Sequence, residues 1–313
     1  MTPVAAIDCG TNSIRLLVAE PDGDASGSPS RLVDLDRRMQ ITRLGQGVDR
    51  TGRLDPAALG RTLDALQVYA DRIRELGATA VRMVATSATR DAANAEEFID
   101  GVRAILGVPP QVISGDEEAA LSYRGATAGV PESLAPSPRL VVDIGGGSTE
   151  FVLGERDTVL AARSVDIGCV RMTERHLLGD PPTPEQVTGA IRDIDAAIAL
   201  AATTVPLDQA HSIVGLAGSV TTVAALHLRL DEYDPRAIHG SVVPADSVRG
   251  ISDRLLAMPH DERAALGVMH PGRVDVIAAG ALVLRRILDA TGLDAVVVSE
   301  HDILDGIAWS LLE

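Results

Sequence analysis

The chain of 313 residues contains no lysine; its 28 basic residues are all arginine. That excludes a Walker-type P-loop, which needs its Lys, and Schiff-base chemistry. Arginine is left as the one permanently charged side chain for gripping anions, and its planar fork suits bidentate grip. Cysteine is almost absent. Cys9 and Cys169 are too few for a disulfide framework or a Cys-based zinc site, and reduced thiols in the cytoplasm are expected. Aromatics make up only 2% of the residues, so the cores must be built from Ala, Val, Leu and Ile. No apolar run approaches a membrane span; the longest lies near Ala196 to Ala202. The opening segment MTPVAAIDCG lacks the basic and apolar regions of a signal peptide. A membrane partner is therefore not expected. The seven histidines show no metal-ligand spacing, and only His301, near the last helix, is placed to approach a site.

What is present is a length that fits two domains. The formal charge of -16 sets up a field that repels phosphate, so nucleic acid is not an expected partner. A polyanionic substrate then requires arginines, backbone N–H groups and a divalent cation concentrated at one place.

An internal echo marks that place. The stretch Asp8-Cys9-Gly10-Thr11-Asn12-Ser13-Ile14-Arg15 is answered by Asp143-Ile144-Gly145-Gly146-Gly147-Ser148-Thr149-Glu150. Asp8 and Asp143, Gly10 and Gly145, Ser13 and Ser148, and Glu20 and Glu155 are each separated by 135 positions. Apolar runs flank both copies, which reads as strand, glycine-rich turn, strand. Glycine allows close backbone approach. Bared N–H groups with a Ser or Thr form an anion nest. An aspartate at the strand end can hold a metal ion or its water shell. One such turn would be an ordinary hairpin; two at a fixed offset point to duplicated phosphate loops. Arg15 reads as a strand residue facing solvent. Cys9, with no base beside it in sequence, reads as a small buried residue rather than a nucleophile.

The rest alternates strands and helices, an α/β pattern. A Gly/Ser-rich loop is expected around Gly23 to Ser30, then a strand from Leu32 to Ile41. Asp55 and Pro56 read as an N-cap and first helical residue, and Thr183-Pro184-Glu185-Gln186 as a capping box. Further strands are expected at Val81 to Ala85, Gln111 to Ser114, Ser212 to Leu216 and Ala295 to Val298. Helices are expected over 96–106, 116–128, 273–290 and 302–312, with a three-proline linker from Val130 to Pro138.

Taken in order, these motifs resemble the Ppx/GppA phosphatases, whose exopolyphosphatases and guanosine pentaphosphate phosphohydrolases share the actin, hexokinase and acetate-kinase superfold. The resemblance also covers Arg43-Leu44-Gly45-Gln46-Gly47, Ala85 to Ala92, Ile113-Ser114-Gly115-Asp116-Glu117-Glu118-Ala119, Gly215 to Ser219 and Arg273 to Ile277. It implies two actin-like (ribonuclease H-like) domains with a cleft between them. The first would span 1–128, with the closing helix of about 301–313 packing back on it, and the second 129–300. It also implies a homodimer. Glu118 matches the catalytic carboxylate that activates water, with Glu150 and Asp143 as further catalytic groups. Thr11, Asn12, Ser13, Arg90, Gly145, Gly146, Gly147 and Ser148 match the phosphate-binding groups. Asp143, Glu150 and Asp8 match the ligands of a divalent ion, most plausibly Mg2+. Without the resemblance, Glu117 and Glu118 are equally good candidates, since both favour a helix N-terminus.

The implied activity is release of orthophosphate from polyphosphate ends. The alternatives are removal of the terminal phosphate of guanosine pentaphosphate, a kinase on the same superfold, and a polyphosphate- or alarmone-binding regulator without turnover. One departure stands out. Many relatives read Ser-x-x-Gly-Leu-Arg-Glu-Gly near the C-terminus, and this chain has Leu304 in place of the Arg. If that arginine binds substrate, one positive charge is missing here.

Overall fold

A computed structural model of the chain describes residues 2–23, 29–156 and 158–312. Most of the expected Gly/Ser-rich loop lies outside the described residues. The chain divides into two compact units. The first comprises Met1–Gly125 and Ile303–Glu313, and the second Ala126–Asp302.

The first unit holds a five-stranded sheet: β1 (Val4–Cys9), β2 (Ser13–Gly23), β3 (Pro29–Ile41), β4 (Ala80–Ala85) and β5 (Gln111–Val112). Their spatial order is β3-β2-β1-β4-β5. The first three form an antiparallel meander, while β4 runs parallel to β1 and β5 parallel to β4. The second unit holds β6 (Arg139–Ile144), β7 (Thr149–Glu155), β8 (Thr158–Val165), β9 (Ser212–Leu216), β10 (Val242–Pro244) and β11 (Ala295–Val298). Read as β8-β7-β6-β9-β11, its sheet repeats the first in order and direction; β10 is an added antiparallel edge strand. The echo in sequence is thus an echo in topology.

Strand alternation sorts the core of the first unit. Ala5, Ile7 and Cys9 face a cluster with Leu66, Tyr69 and Phe98. Val4 and Ala6 face a second cluster that includes Ile303, Leu304, Ile307 and Ala308 of the closing helix, Ile303–Ser310. Leu304 is 1% exposed and is an apolar packing position. The second unit has one large aliphatic cluster, running from Leu140, Val142, Phe151 and Leu153 to Leu282 and Leu284.

Local signals set several helix starts. The Asp55 carboxylate accepts the Ala58 N–H at 2.9 Å and opens the helix Pro56–Glu75. Thr183 and Gln186 form a reciprocal capping box at the head of Pro184–Ala202.

Three readings need correction. The helix expected over 273–290 is Ile277–Thr291, because Pro271–Arg273 form a separate 3-10 turn capped by His270, whose ring nitrogen accepts the Gly272 N–H. The strand from Gln111 stops at Val112, since Ser114 instead accepts the Glu117 N–H at 3.2 Å and caps the helix Gly115–Gly129. The three-proline segment lies within the second unit and is packed: Val130 and Ala135 are buried, and Arg139 reaches the Val130 carbonyl and the Glu132 carboxylate. Among the described residues no helix is long and apolar enough to cross a membrane.

Candidate active site

In each unit the central hairpin carries its glycine-rich turn at the same place. The turn closes with the Gly10 N–H on the Ser13 carbonyl at 2.9 Å in the first, and the Gly145 N–H on the Ser148 carbonyl at 3.0 Å in the second. Each turn is backed by the segment that follows the third strand of its meander. In the first unit the Thr11 carbonyl accepts Gly45 N–H, and the Asn12 carbonyl accepts Thr42 and Arg43 N–H. In the second the Gly145 carbonyl accepts Cys169 N–H, the Gly146 carbonyl accepts Val170 and Arg171 N–H, and the Gly147 carbonyl accepts Gly168 N–H and Arg171 Nε.

These bonds orient the turns. The C=O and N–H of one trans peptide point in opposite directions. Fixing the carbonyls against the backing segment therefore turns the N–H groups of Asn12 and Ser13, and of Gly146, Gly147 and Ser148, to the other side. That is the construction of an anion nest. Gly45 and Gly168 make the close backing possible. A Cβ on Gly168 would run into the backbone of Gly146 and Gly147, and one on Gly45 into the Thr11 side chain. Two non-glycine residues with positive φ also lie at these turns, Arg43 at 54° beside the first and Ala217 at 67° where β9 ends. Backbone held in such a region costs free energy and gathers at functional turns.

The expected residues of the first unit fall into two groups. Thr11 Oγ1 lies 2.9 Å from Ser87 Oγ, which joins the turn to the short helix Ser87–Arg90. Arg90, at the end of that helix, donates to the Ile113 carbonyl at 2.8 Å and to the Glu118 carboxylate at 3.3 Å. Glu118 is 8% exposed. Its neighbour Glu117 is exposed and paired with Arg82. The two glutamates that sequence spacing leaves equivalent are therefore unlike: one is buried beside Arg90, the other solvated. Asp8 lies on β1 directly opposite Arg15. It accepts both Nε (3.0 Å) and Nη2 (2.6 Å) of Arg15 on one carboxylate oxygen, so Arg15 is an ion-pair partner rather than a strand residue facing solvent.

In the second unit Asp143 and Glu150 are directly opposed across β6 and β7, and Ser164 is opposed to Glu150 across β7 and β8. Opposed residues share one face of a sheet. Both carboxylates are buried, and Ser164 Oγ donates to Glu150 at 2.7 Å. No group of three or more His, Cys, Asp or Glu side chains among the described residues is placed to hold a metal ion. The donors present fit a hard cation that keeps water and substrate oxygens in its shell, as Mg2+ does with one or two protein carboxylates.

Both cysteines are free and buried. Burial, and then the Asp8 charge, push the Cys9 thiol well above its ordinary range; burial also raises that of Cys169. The His301 ring packs on His239, with ring centroids 4.8 Å apart. Sequence reading missed Arg15, Ser87, Ser164 and Gly168. For Arg15 a signal existed: it lies 135 positions before Glu150, within the repeat.

The Ppx/GppA phosphatase family profile matches residues 23–313, and the chain belongs to that family. It is 49% identical to exopolyphosphatase 2 of Mycobacterium tuberculosis, covering 99% of both chains. It is 29% identical to guanosine-5'-triphosphate,3'-diphosphate pyrophosphatase of Vibrio atlanticus, covering 99% of this chain and 59% of that one. Among solved structures, an exopolyphosphatase-like protein superposes with a TM-score of 0.93 at 43% identity over 98% of each chain. An exopolyphosphatase from Cytophaga hutchinsonii superposes with a TM-score of 0.87 at 25% identity, covering 99% of this chain and 98% of that one. The family expected from the motifs is the family found.

Proposed function

We propose that the chain is an exopolyphosphatase, a hydrolase that releases orthophosphate from the terminal phosphoanhydride of inorganic polyphosphate. The observation that carries this reading is the end-to-end identity with exopolyphosphatase 2. The residues present fit a mechanism for it. Cleaving a phosphoanhydride needs positioning, charge neutralisation and an aligned water rather than covalent work by the protein. Glu118 orients the water and takes its proton, with Arg90 fixing the carboxylate. The turns at Thr11, Asn12 and Ser13 and at Gly145, Gly146, Gly147 and Ser148, together with Arg90, take the phosphate oxygens on pre-set donors. Asp143 and Glu150 would hold Mg2+, with Ser164 donating to Glu150. When bound, that ion supplies charge neutralisation at the phosphate oxygens. A cytoplasmic location accords with two buried free cysteines; the homodimer rests on the family resemblance.

A second reading, removal of the terminal phosphate of guanosine pentaphosphate, is supported by the lower identity to the Vibrio enzymes. Orthophosphate release from polyphosphate, guanosine pentaphosphate and ATP, with and without magnesium, separates the readings. Glu118→Gln should lower turnover at least roughly a hundredfold, the size of a lost general base. Unchanged turnover would remove Glu118 from its role. Binding without turnover in the parent would favour the regulator.

A further inference from the structure

The first glycine-rich turn carries a side-chain donor that the second lacks, since Thr11 has Gly146 as its counterpart 135 positions on. The Thr11 hydroxyl is buried and lies 2.9 Å from the buried hydroxyl of Ser87. Gly45 fixes the rest of the residue. Its N–H donates to the Thr11 carbonyl at 2.9 Å. The Thr11 methyl fills the room that a Gly45 side chain would need, 2.4 Å from where the Cβ would stand. A β-branched residue has few rotamers. With its methyl on Gly45 and its hydroxyl on Ser87, Thr11 is held in one of them.

Ser87 is itself fixed. β4 runs parallel to β1 with Ala85 beside Cys9, and the Thr86 N–H donates to the Cys9 carbonyl at 3.2 Å. The helix Ser87–Arg90 starts at that point. Its two end residues are three apart and share a face; Ser87 meets Thr11, and Arg90 meets Glu118. The hydroxyl pair has a proton to spare. Each hydroxyl carries one proton, and the bond between them uses one of the two. Among the described residues neither hydroxyl has a second partner. A buried donor left without an acceptor costs free energy. Thr11 is 7% exposed and Ser87 2%, so the spare proton belongs on Thr11, where a ligand can meet it.

We infer that Ser87 is a positioning residue that donates to Thr11 Oγ1, and that Thr11 in turn donates to a phosphate oxygen of the substrate at the first turn. The inference rests on the phosphatase reading for its substrate. An ionised phosphate oxygen only accepts, and a bond to it is about twice as strong as a neutral one. Each bond in such a chain polarises the next. The opposite order would spend the Thr11 proton on Ser87 and turn an acceptor toward the anion.

The test uses the full chain. Tripolyphosphate binding is measured by calorimetry in EDTA, and orthophosphate release from tripolyphosphate with magnesium present. Thr11→Val keeps the shape and removes the hydroxyl. It should weaken binding at least roughly tenfold, the scale of one hydrogen bond to a charged group. Ser87→Ala should weaken binding about threefold, the scale of a neutral bond. It should raise KM with kcat near the parent's, as a loss of uniform binding does. The double variant Thr11→Val/Ser87→Ala leaves no lone buried hydroxyl. It should bind within about twofold of Thr11→Val, because Ser87 acts only through Thr11. Parent-like binding by Thr11→Val or by Ser87→Ala overturns the inference. So do losses that multiply in the double variant, and a lowered kcat at the parent's KM in Ser87→Ala, which marks a merely structural serine. A parent that binds tripolyphosphate but releases no orthophosphate overturns the hydrolase reading alone; one that binds none overturns both.

Discussion

The two hairpins share closing bond, backing segment and strand order, and they differ in charge at one pair of equivalent places. Arg15 and Glu150 hold equivalent places opposite equivalent aspartates. The first hairpin neutralises its aspartate within the chain. The second sets two carboxylates directly opposite one another, with Ser164 donating to Glu150. The two copies share a scaffold, and at the equivalent place one carries an arginine and the other a second carboxylate.

The largest way to break that comparison is to make the second hairpin like the first. Glu150→Arg should cost roughly a thousandfold in turnover, since removing metal-type charge stabilisation is worth several kcal/mol at the transition state. Activity within tenfold of the parent would show that the two hairpins are interchangeable. The backing glycines sharpen the comparison next. Gly168→Ala meets backbone at 2.2 Å, whereas Gly45→Ala meets only side-chain atoms, the Thr11 methyl at 2.4 Å and the Ala88 and Thr11 Cβ atoms at 3.0 and 3.1 Å. Losses of about 3 and about 1 kcal/mol are expected on the scale of overpacking. Chemical denaturation of both variants checks the order, and equal losses would contradict it. The smallest effects carry opposite signs. In EDTA, Arg15→Gln should destabilise by about 2 kcal/mol because it removes the ion pair of the buried Asp8. Glu150→Gln should stabilise by about 1 kcal/mol because it removes a like charge. At about 2–4 °C per kcal/mol for domains of this size, thermal melts resolve both. Shifts of the same sign would refute the charge contrast.

Much of this was legible in the sequence because it is local. Asp55 with Pro56 and Thr183 with Gln186 announce helix starts within four residues, and the structure has both. The repeated Asp and Gly spacing locates the two turns. What stayed hidden depends on strand pairing. Arg15 sits between Ile14 and Leu16, both fully buried. Alternation then points it away from that core but cannot reveal that Asp8 is opposite. Ser164 reaches Glu150 only through β8, a strand the sequence reading did not find. Ser114 reads as strand because its neighbours Val112 and Ile113 are apolar, yet its hydroxyl is committed to the next helix. The difference between Glu117 and Glu118 arises from the fold, which brings Arg82 to one and Arg90 to the other.

The most direct test of the account is crystallographic. Crystals grown with Mn2+ should show an anomalous peak bound by Asp143 and Glu150 and none at Asp8, where the Arg15 guanidinium remains in place. A manganese ion ligated by Asp8, with Arg15 displaced from it, would contradict the account.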